Sequence, residues 1–309
     1  MIITLTLNPA VDKTIYLDDF TKGTVNRVQE VRKDAGGKGI NVSKVVAKLG
    51  GQTTALGFLG GAPGEFISTT ISNFNIKQDF VHLEDETRTN MKIVDKFNCE
   101  ETEINEPGAE VNAQQLEELE DKVIKTATAE DSVVLTGSLP PGVADDIYAD
   151  LINKLQAKDI KAFLDASGTA LEEGVKASPY LIKPNISELE TLVGQELLTV
   201  EDMIAAAEKL QEQGIEIVVV SRGGEGSLIV SKEGNFKVTP PDVEPNSTIG
   251  AGDTLVGALA LKLEAGVSLK EALEYATAAS ANSVTKAGTQ LCKANEVEEL
   301  LEEVEITEL

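Results

Sequence analysis

Apolar and polar residues alternate along this chain with two different periods, most clearly in its second half. Short apolar runs of strand length are separated by amphipathic segments of helical length. The strand-like runs are 132–135, 161–164, 180–182 and 215–220, and the helical segments are 113–126, 145–158 and 200–213. This alternation is typical of a parallel sheet covered by helices. The pattern therefore predicts an α/β fold with a mostly parallel central sheet.

The first half of the chain and its C-terminal end continue the pattern less regularly. A first strand over 1–7 is predicted to stop at Pro9, and a helix follows the glycine-rich turn at 35–39. Further strands are expected at 14–17, 25–33, 54–59 and 87–94, an acidic hairpin at 100–106, and helices at 65–74, 250–262 and 269–286, with an acidic helix at the C-terminus.

The stretch Ser247 to Leu259 combines a glycine-rich turn with a helix. Gly250, Ala251 and Gly252 precede an apolar run of helical spacing, which leaves free backbone N–H groups at the helix start. Such amides and the helix dipole bind phosphate. Asp253 in the first turn could then remove a proton from an attacking hydroxyl. The alternative is that Asp253 only caps the helix.

A second glycine-rich turn, Ala35 to Gly39, also begins a helix. Gly37 lets a ligand approach the backbone, while Lys38 and Asn41 supply a cation and an amide. The spacing matches neither a Walker A loop nor a dinucleotide fingerprint. Tight packing of turn and helix explains the pattern equally well.

Polar residues follow directly after several predicted strands, where α/β sheets bind ligands. They are Asp12, Ser138, Asp165, Lys183 and Ser221, the last at the start of a Gly-rich loop. Each could also be an ordinary turn residue, Asp12 especially because it follows a proline.

Arg88, Asn90 and Lys92 alternate along one predicted strand and therefore share a face that could bind a phosphate. A solvated strand face is the alternative. Asn185 and Glu188 lie three apart at a predicted helix start. They could reach Mg²⁺ or its waters, or form only a capping box.

Composition limits the function classes. The 309 residues include 52 Asp and Glu against 27 Lys and Arg, a net charge of −25, which disfavours nucleic acid and anionic membranes. One histidine and two cysteines are too few for a structural zinc site or a disulfide framework. The sequence also lacks the Gly-x-Ser-x-Gly motif of a Ser-His-Asp hydrolase. Without a signal peptide or an apolar stretch of 18 residues, a soluble cytoplasmic protein is expected.

Together these motifs resemble the ribokinase-like sugar kinases, the phosphofructokinase B family. The segment 35–42 resembles the first family signature, the Gly-Ala-Gly-Asp core at 250–253 resembles the second, and Asn185 with Glu188 is similar to the Asn-x-x-Glu magnesium motif. The resemblance covers essentially the whole chain. It implies one kinase domain over 1–309, with a central mostly parallel sheet flanked by helices and a small β-sheet lid from about 12–33 and 87–106.

The resemblance also implies an activity and a role for each candidate residue. A sugar hydroxyl would attack the γ-phosphate of ATP, with Asp253 as base and the Gly250, Ala251 and Gly252 amides as anion hole. Mg²⁺ would be organised by Asn185 and Glu188, and K⁺ is a further candidate cofactor. The substrate-binding residues would be Asp12, Gly37, Lys38, Asn41, Arg88, Asn90, Lys92 and Ser138, and the nucleotide-binding residues Lys183, Ser221, Gly223, Gly226, Thr248 and Asn282.

Within that family, the segments 4–12 and 87–108 look like the branch that acts on sugar phosphates. Fructose 1-phosphate is the expected substrate, tagatose 6-phosphate the alternative, and a non-catalytic sugar-phosphate-binding regulator the alternative of another class. A homodimer through the lid is expected, because an exposed sheet needs cover.

Overall fold

The structure is a computed structural model that describes residues 1–286 and 291–309. Its centre is one large sheet with the strand order β15-β14-β13-β12-β11-β10-β9-β1-β4-β5, to which β6 adds beside β4. These strands are β1 Ile2–Thr6, β4 Thr53–Gly60, β5 Lys77–Gln78, β6 Val81–Leu83, β9 Ser132–Thr136, β10 Lys161–Asp165, β11 Leu181–Ile182, β12 Ile217–Ser221, β13 Ser227–Ser231, β14 Gly234–Thr239 and β15 Glu305–Glu308.

Most of this sheet is parallel, as the alternation of strands and helices predicts. In the order of the sheet, the strands β5, β4, β1, β9, β10, β11 and β12 are all parallel to their neighbours. At one edge β13, β14 and β15 are added in antiparallel orientation. Since the carboxyl ends of the parallel strands meet at one edge of the sheet, the loops after β1, β9, β10 and β12 are brought together there.

Helices cover both faces of the sheet. They are α1 Lys38–Lys48, α2 Gly61–Ser72, α3 Ala113–Thr126, α4 Ile147–Gln156, α5 Thr169–Val175, α6 Ile186–Val193, α7 Val200–Glu212, α8 Ala251–Glu264, α9 Leu269–Val284 and α10 Ala294–Leu300. One core cluster joins α3 through α7 to the sheet, and a second joins α1, α8, α9 and α10 to the opposite face. Burial on both faces explains the continuous apolar runs of β9 and β12. Within the described residues, no helix is both long enough and apolar enough to cross a bilayer.

Four strands form a separate small sheet, which we call the lid. They are β2 Ala10–Leu17, β3 Glu30–Gly36, β7 Arg88–Asp95 and β8 Glu100–Ile104, in the order β3-β2-β7-β8. The base of the lid packs on α2 through Val11 and Ala35, whereas the start of β3 and all of β8 are exposed. This arrangement agrees with the predicted lid.

Several elements differ from the expectations. The strand expected at 25–33 begins only at Glu30, because Thr21 and Asn26 close a hydrogen-bonded turn before it and Val25 is 86% exposed. The expected acidic C-terminal helix is short and is followed by β15, which pairs with β14 and places Ile306 against the core. The hairpin of β13 and β14 was not predicted.

Candidate active site

Two cavities adjoin at the carboxyl edge of the central sheet. The first has a volume of about 410 Å³ and lies between this edge and the lid. Predicted site residues from distant parts of the chain line it together. They are Asp12, Gly37, Lys38, Asn41, Arg88, Asn90, Lys92, Ser138 and Asp253. The predicted substrate residues are thus brought together in one place, next to the predicted base.

The second cavity is about 650 Å³ in volume and is lined mainly by small and apolar groups. The predicted nucleotide residues Ser221, Gly223, Gly226 and Thr248 lie on its wall, together with Ala251 and Gly252 at the start of α8. Since Asp253 lines the first cavity, the N-terminus of α8 separates the two cavities and contributes to both.

The turn before α8 has the conformation that its glycines permit. Gly250 has φ 77°, in the left-handed region that favours glycine, and α8 starts at the next residue. Among the described residues, no side chain caps this end of α8. Asp253 Oδ2 instead accepts a hydrogen bond of 2.8 Å from Asn41 Nδ2. Asp253 therefore makes no side-chain cap hydrogen bond at the start of α8.

Asp253 lies in an environment that suits a general base. It is 7% exposed, and burial, assisted by the negative charge of Asp165, raises its pKa from 3.8 to about 6. The hydrogen bond from Asn41 and the charges of Lys38 and Lys183 oppose this rise. A carboxylate with such a pKa is ionised at neutral pH yet basic enough to accept a proton.

Asp165 forms ion pairs with two lysines near the start of α8. Its Oδ1 lies 3.4 Å from Lys38 Nζ and 3.3 Å from Lys183 Nζ. Burial would raise the pKa of Asp165, but the two lysines outweigh it and lower the pKa. Lys183 lies beside the start of α8, because a Cβ placed on Gly252 would be 3.5 Å from its Nζ. The predicted anion hole thus combines backbone amides with a nearby cation.

The inner face of the lid supplies the polar groups opposite Asp253. Asp12 and Asn90 are direct neighbours on β2 and β7, and Asn90 Nδ2 donates to Asp12 Oδ1 at 3.2 Å. A Cβ on Gly36 would come within 2.0 Å of Asp12 Oδ2, so a larger residue at this point of β3 would displace the carboxylate. Burial raises the pKa of Asp12.

Arg88 ties the lid to the central sheet. Its guanidinium donates to the carbonyl oxygens of Asn8 and Glu106 and lies 3.3 Å from Ser138 Oγ. Lys92, four residues further along β7 on the same face, forms ion pairs with Glu101 and Glu103 of β8. The predicted cationic strand face therefore exists, and it is more than a solvated surface.

Asn185 and Glu188 form the reciprocal capping box of α6. Asn185 Oδ1 accepts from the Glu188 N–H, and Glu188 Oε2 accepts from the Asn185 N–H. Glu188 also lies near enough to Lys38 to act on its pKa, which Asp165 and Asp253 raise against the effect of burial. Within residues 1–286 and 291–309, no group of three or more His, Cys, Asp or Glu is arranged to hold a metal ion. The second carboxylate oxygen of Glu188 suits a water of a hydrated Mg²⁺ whose other ligands come from phosphate.

Asn282 is predicted to bind the nucleotide, but its side chain contacts Lys293 and Glu296 instead of lining the second cavity. Its Nδ2 donates to Glu296, and its Oδ1 accepts from the Lys293 N–H. Other residues on the same helix, Thr277, Ser280 and Ala281, line the second cavity instead. The helical period explains the difference, since these positions lie on a neighbouring face of α9.

Several residues at the site have no role assigned to them from the sequence. Asp165 had a signal, because it directly follows a predicted strand. Lys44 had none: it lies inside α1, 5% exposed, and its Nζ donates to the Ala35 carbonyl at 2.8 Å. Burial lowers its pKa. Asp34 and Glu103 face the first cavity from the lid edges, where only the register of the strands places them.

Comparison with known proteins places the whole chain among carbohydrate kinases. Residues 5–296 match the pfkB family of carbohydrate kinases. The chain is 34% identical over 310 residues to 1-phosphofructokinase of Borreliella burgdorferi, covering 100% of this chain and 99% of that one. It is 35% identical over 312 residues to tagatose-6-phosphate kinase of Staphylococcus epidermidis, covering 100% of both chains. These identities are too similar to decide between the two substrates.

Solved structures show the same fold. Phosphofructokinase-2 from Escherichia coli, in complex with potassium, superposes with a TM-score of 0.93 at 34% identity and covers 97% of this chain and 98% of that one. Ribokinase from Arabidopsis thaliana, complexed with ribose and ATP, has a TM-score of 0.81 at 22% identity, covers 97% and 98%, and shows that the fold is ribokinase-like. The chain therefore belongs to the pfkB family of carbohydrate kinases.

Proposed function

We propose that this kinase, acting as one domain over 1–309, transfers the γ-phosphate of ATP to a hydroxyl of fructose 1-phosphate, giving fructose 1,6-bisphosphate and ADP. One observation carries the proposal: the start of α8 is the common wall of the two cavities. Asp253 lines the first cavity, and Ala251 and Gly252 line the second. A hydroxyl bound in one cavity can thus meet a phosphate bound at the other.

In this mechanism the sugar oxygen forms a new bond to the γ-phosphorus while the bond to the ADP oxygen breaks. Asp253 accepts the hydroxyl proton, and Asn41 holds its carboxylate in place. The amides of 250–253 and Lys183 stabilise the charge on the transferred phosphoryl group. Mg²⁺, when bound with ATP, neutralises phosphate charge, and Glu188 with Asn185 would orient its water shell.

The lid would recognise the sugar phosphate. Asp12, Asn90 and Asn41 offer hydrogen-bonding groups for hydroxyls, and the Oδ1 atoms of both asparagines have no hydrogen-bond partner within the described residues. Arg88, Lys92 and Lys38 supply cations, and Ser138 supplies a hydroxyl next to Arg88. In a chain with a net charge of −25, such a local cluster supports an anionic substrate.

The nucleotide would occupy the second cavity. Ser221, Gly223, Gly226 and Thr248 line this cavity and would contact the phosphates, and a proline-rich wall at 240–245 would offer an apolar surface for the base. Asn282 would contribute to nucleotide binding only indirectly, because its side chain contacts Glu296.

A coupled assay of ADP release over a panel of sugar phosphates tests the proposal. Fructose 1-phosphate should give the highest kcat/KM, and ADP release should require Mg²⁺. A preference for tagatose 6-phosphate would favour the alternative kinase, for which the similarity to tagatose-6-phosphate kinase speaks. Binding without turnover of any sugar phosphate would instead support a regulator. Comparing KCl with tetramethylammonium chloride in the same assay tests for K⁺ activation, which the potassium complex of the Escherichia coli relative suggests.

We also propose a homodimer through the outer face of the lid. Val31, Ile15 and Ile93 lie side by side on this face, and Ile104 pairs with Met91 next to them. Val31 and Ile104 are each 47% exposed, so the row needs a cover that a second copy can supply. Sedimentation equilibrium should give a dimer for the native chain and a monomer for V31D/I104D. The exposed Leu198, away from the lid, provides the control, since L198D should leave the dimer intact.

A further inference from the structure

Lys92 lines the cavity assigned to the sugar phosphate, yet its ammonium group already forms ion pairs with two carboxylates. Its Nζ is 2.8 Å from Glu101 Oε2 and 3.2 Å from Glu103 Oε1. The Lys92 side chain is only 15% exposed, whereas both glutamates are more than half exposed. Glu103 lines the first cavity together with Lys92.

The sheet register explains this contact. Lys92 on β7 is directly opposite Glu103 on β8, and Glu101 is two residues further along the same face. Side chains on one face of neighbouring strands lie within reach of each other. Burial disfavours the charge of Lys92, but the hydrogen bonds to the two glutamates outweigh burial and raise its pKa. Lys92 is therefore charged, and its charge is balanced before any ligand arrives.

A phosphate that enters this cavity must compete with these carboxylates for the ammonium group. The carboxylates also add negative potential beside the phosphate. We propose that Glu103, assisted by Glu101, weakens the binding of the sugar-borne phosphate by competing for Lys92. This inference rests on the proposed function, because it takes a sugar phosphate as the ligand of the first cavity.

The competition has the same sign for substrate and product. The phosphate carried by the sugar at the start of the reaction is still present, unchanged, on the bisphosphate product. An interaction made equally in both states changes binding without favouring the transition state. Glu103 would thus be a positioning residue that raises the KM of the sugar phosphate and eases release of the product.

The test compares E103Q with E100Q. Glu103 faces the cavity, whereas Glu100 lies on the opposite face of the same strand and loses the same charge when changed to glutamine. We expect E103Q to lower the KM for the sugar phosphate and the inhibition constant of the bisphosphate product, each by about two- to fivefold. E100Q should change both by less than E103Q does, and the KM for ATP serves as an internal reference.

A second pair of variants isolates the role of Lys92. In a K92M background E103Q should lower the KM for the sugar phosphate by less than it does in the native chain, because Glu103 no longer competes for Lys92 and only its direct repulsion of the phosphate remains. An equal effect of E103Q with and without Lys92, an effect no larger than that of E100Q, or a rise in KM would overturn the inference. Thermal melting of each variant checks that the lid is folded.

The same experiment separates this inference from the proposed function. If the native enzyme prefers another sugar phosphate, the proposed substrate is wrong, and the four variants are then compared on the preferred one. If no sugar phosphate is turned over, calorimetric binding of fructose 1-phosphate to the native chain, E103Q, K92M and the double variant gives the same comparison. Binding that E103Q does not strengthen would refute the inference in that case as well.

Discussion

The two cavities that meet at α8 are lined by different kinds of residue. The first is lined by charged and amide side chains from the lid, α1 and α8, and several of these are buried against one another. The second is lined mainly by glycine, proline and small apolar residues, with backbone groups in place of most charges. In an acidic chain, a small anionic sugar needs specific cations, whereas a larger nucleotide can be held by shape, apolar contact and amides.

The largest expected effect tests the residue at the boundary. D253N should lower kcat by about 10²- to 10⁴-fold, because the hydroxyl proton loses its acceptor. Binding of ATP and of the sugar phosphate should persist, since the amide oxygen of the variant side chain can still accept the hydrogen bond from Asn41. Steady-state kinetics combined with calorimetry measures both quantities. A variant with near-normal kcat would remove Asp253 from the mechanism.

Arg88 tests the dependence of the first cavity on charge. R88A should raise the KM for the sugar phosphate by about ten- to a hundredfold, since charge-assisted hydrogen bonds contribute about 1.5–3 kcal/mol each. The KM for ATP should stay within about twofold. Because Arg88 also bonds to Asn8 and Glu106, R88K and a melting curve serve as controls for folding. An unchanged KM would mean that the phosphate binds elsewhere.

The buried carboxylate of Asp253 in the first cavity should also lower the stability of the folded protein. The pKa of Asp253 is raised from 3.8 unfolded to about 6 folded, so ionising it opposes folding. This penalty is fully present above about pH 6 and absent below about pH 4. D253N should therefore raise the free energy of unfolding by about 1–3 kcal/mol at pH 7.5, and by less at pH 5. Urea titrations at the two pH values give the difference, and a variant less stable at pH 7.5 would contradict the buried-charge account.

A substitution in the second cavity should have a smaller effect, and only on the binding of ATP. Ala281 on α9 lines that cavity and is 5% exposed, so A281L should occupy part of the space for the nucleotide. We expect the KM for ATP to rise about three- to tenfold while the KM for the sugar phosphate stays constant. Equal changes in both Michaelis constants would show that the two cavities are not independent.

Local patterns predicted much of the fold and the centre of the site. The alternation of strands and helices indicated a parallel sheet, and the glycines at 250 and 252 placed Asp253 in the first turn of a helix. Local patterns failed where an element depends on its neighbours. Val25 continues an alternating pattern but lies outside any strand, and β15 forms only because β14 is beside it.

The local sequence was enough to predict most of the helices, strands and glycine turns, because turn chemistry and hydrophobic period act over a few residues. The tertiary structure alone decided that Asn41 contacts Asp253, that Asp165 joins Lys38 to Lys183, and that Glu103 holds Lys92. Those contacts depend on strand order and register, and the raised pKa of Asp253 depends on burial by residues far away in the chain. None of these is encoded in a local pattern.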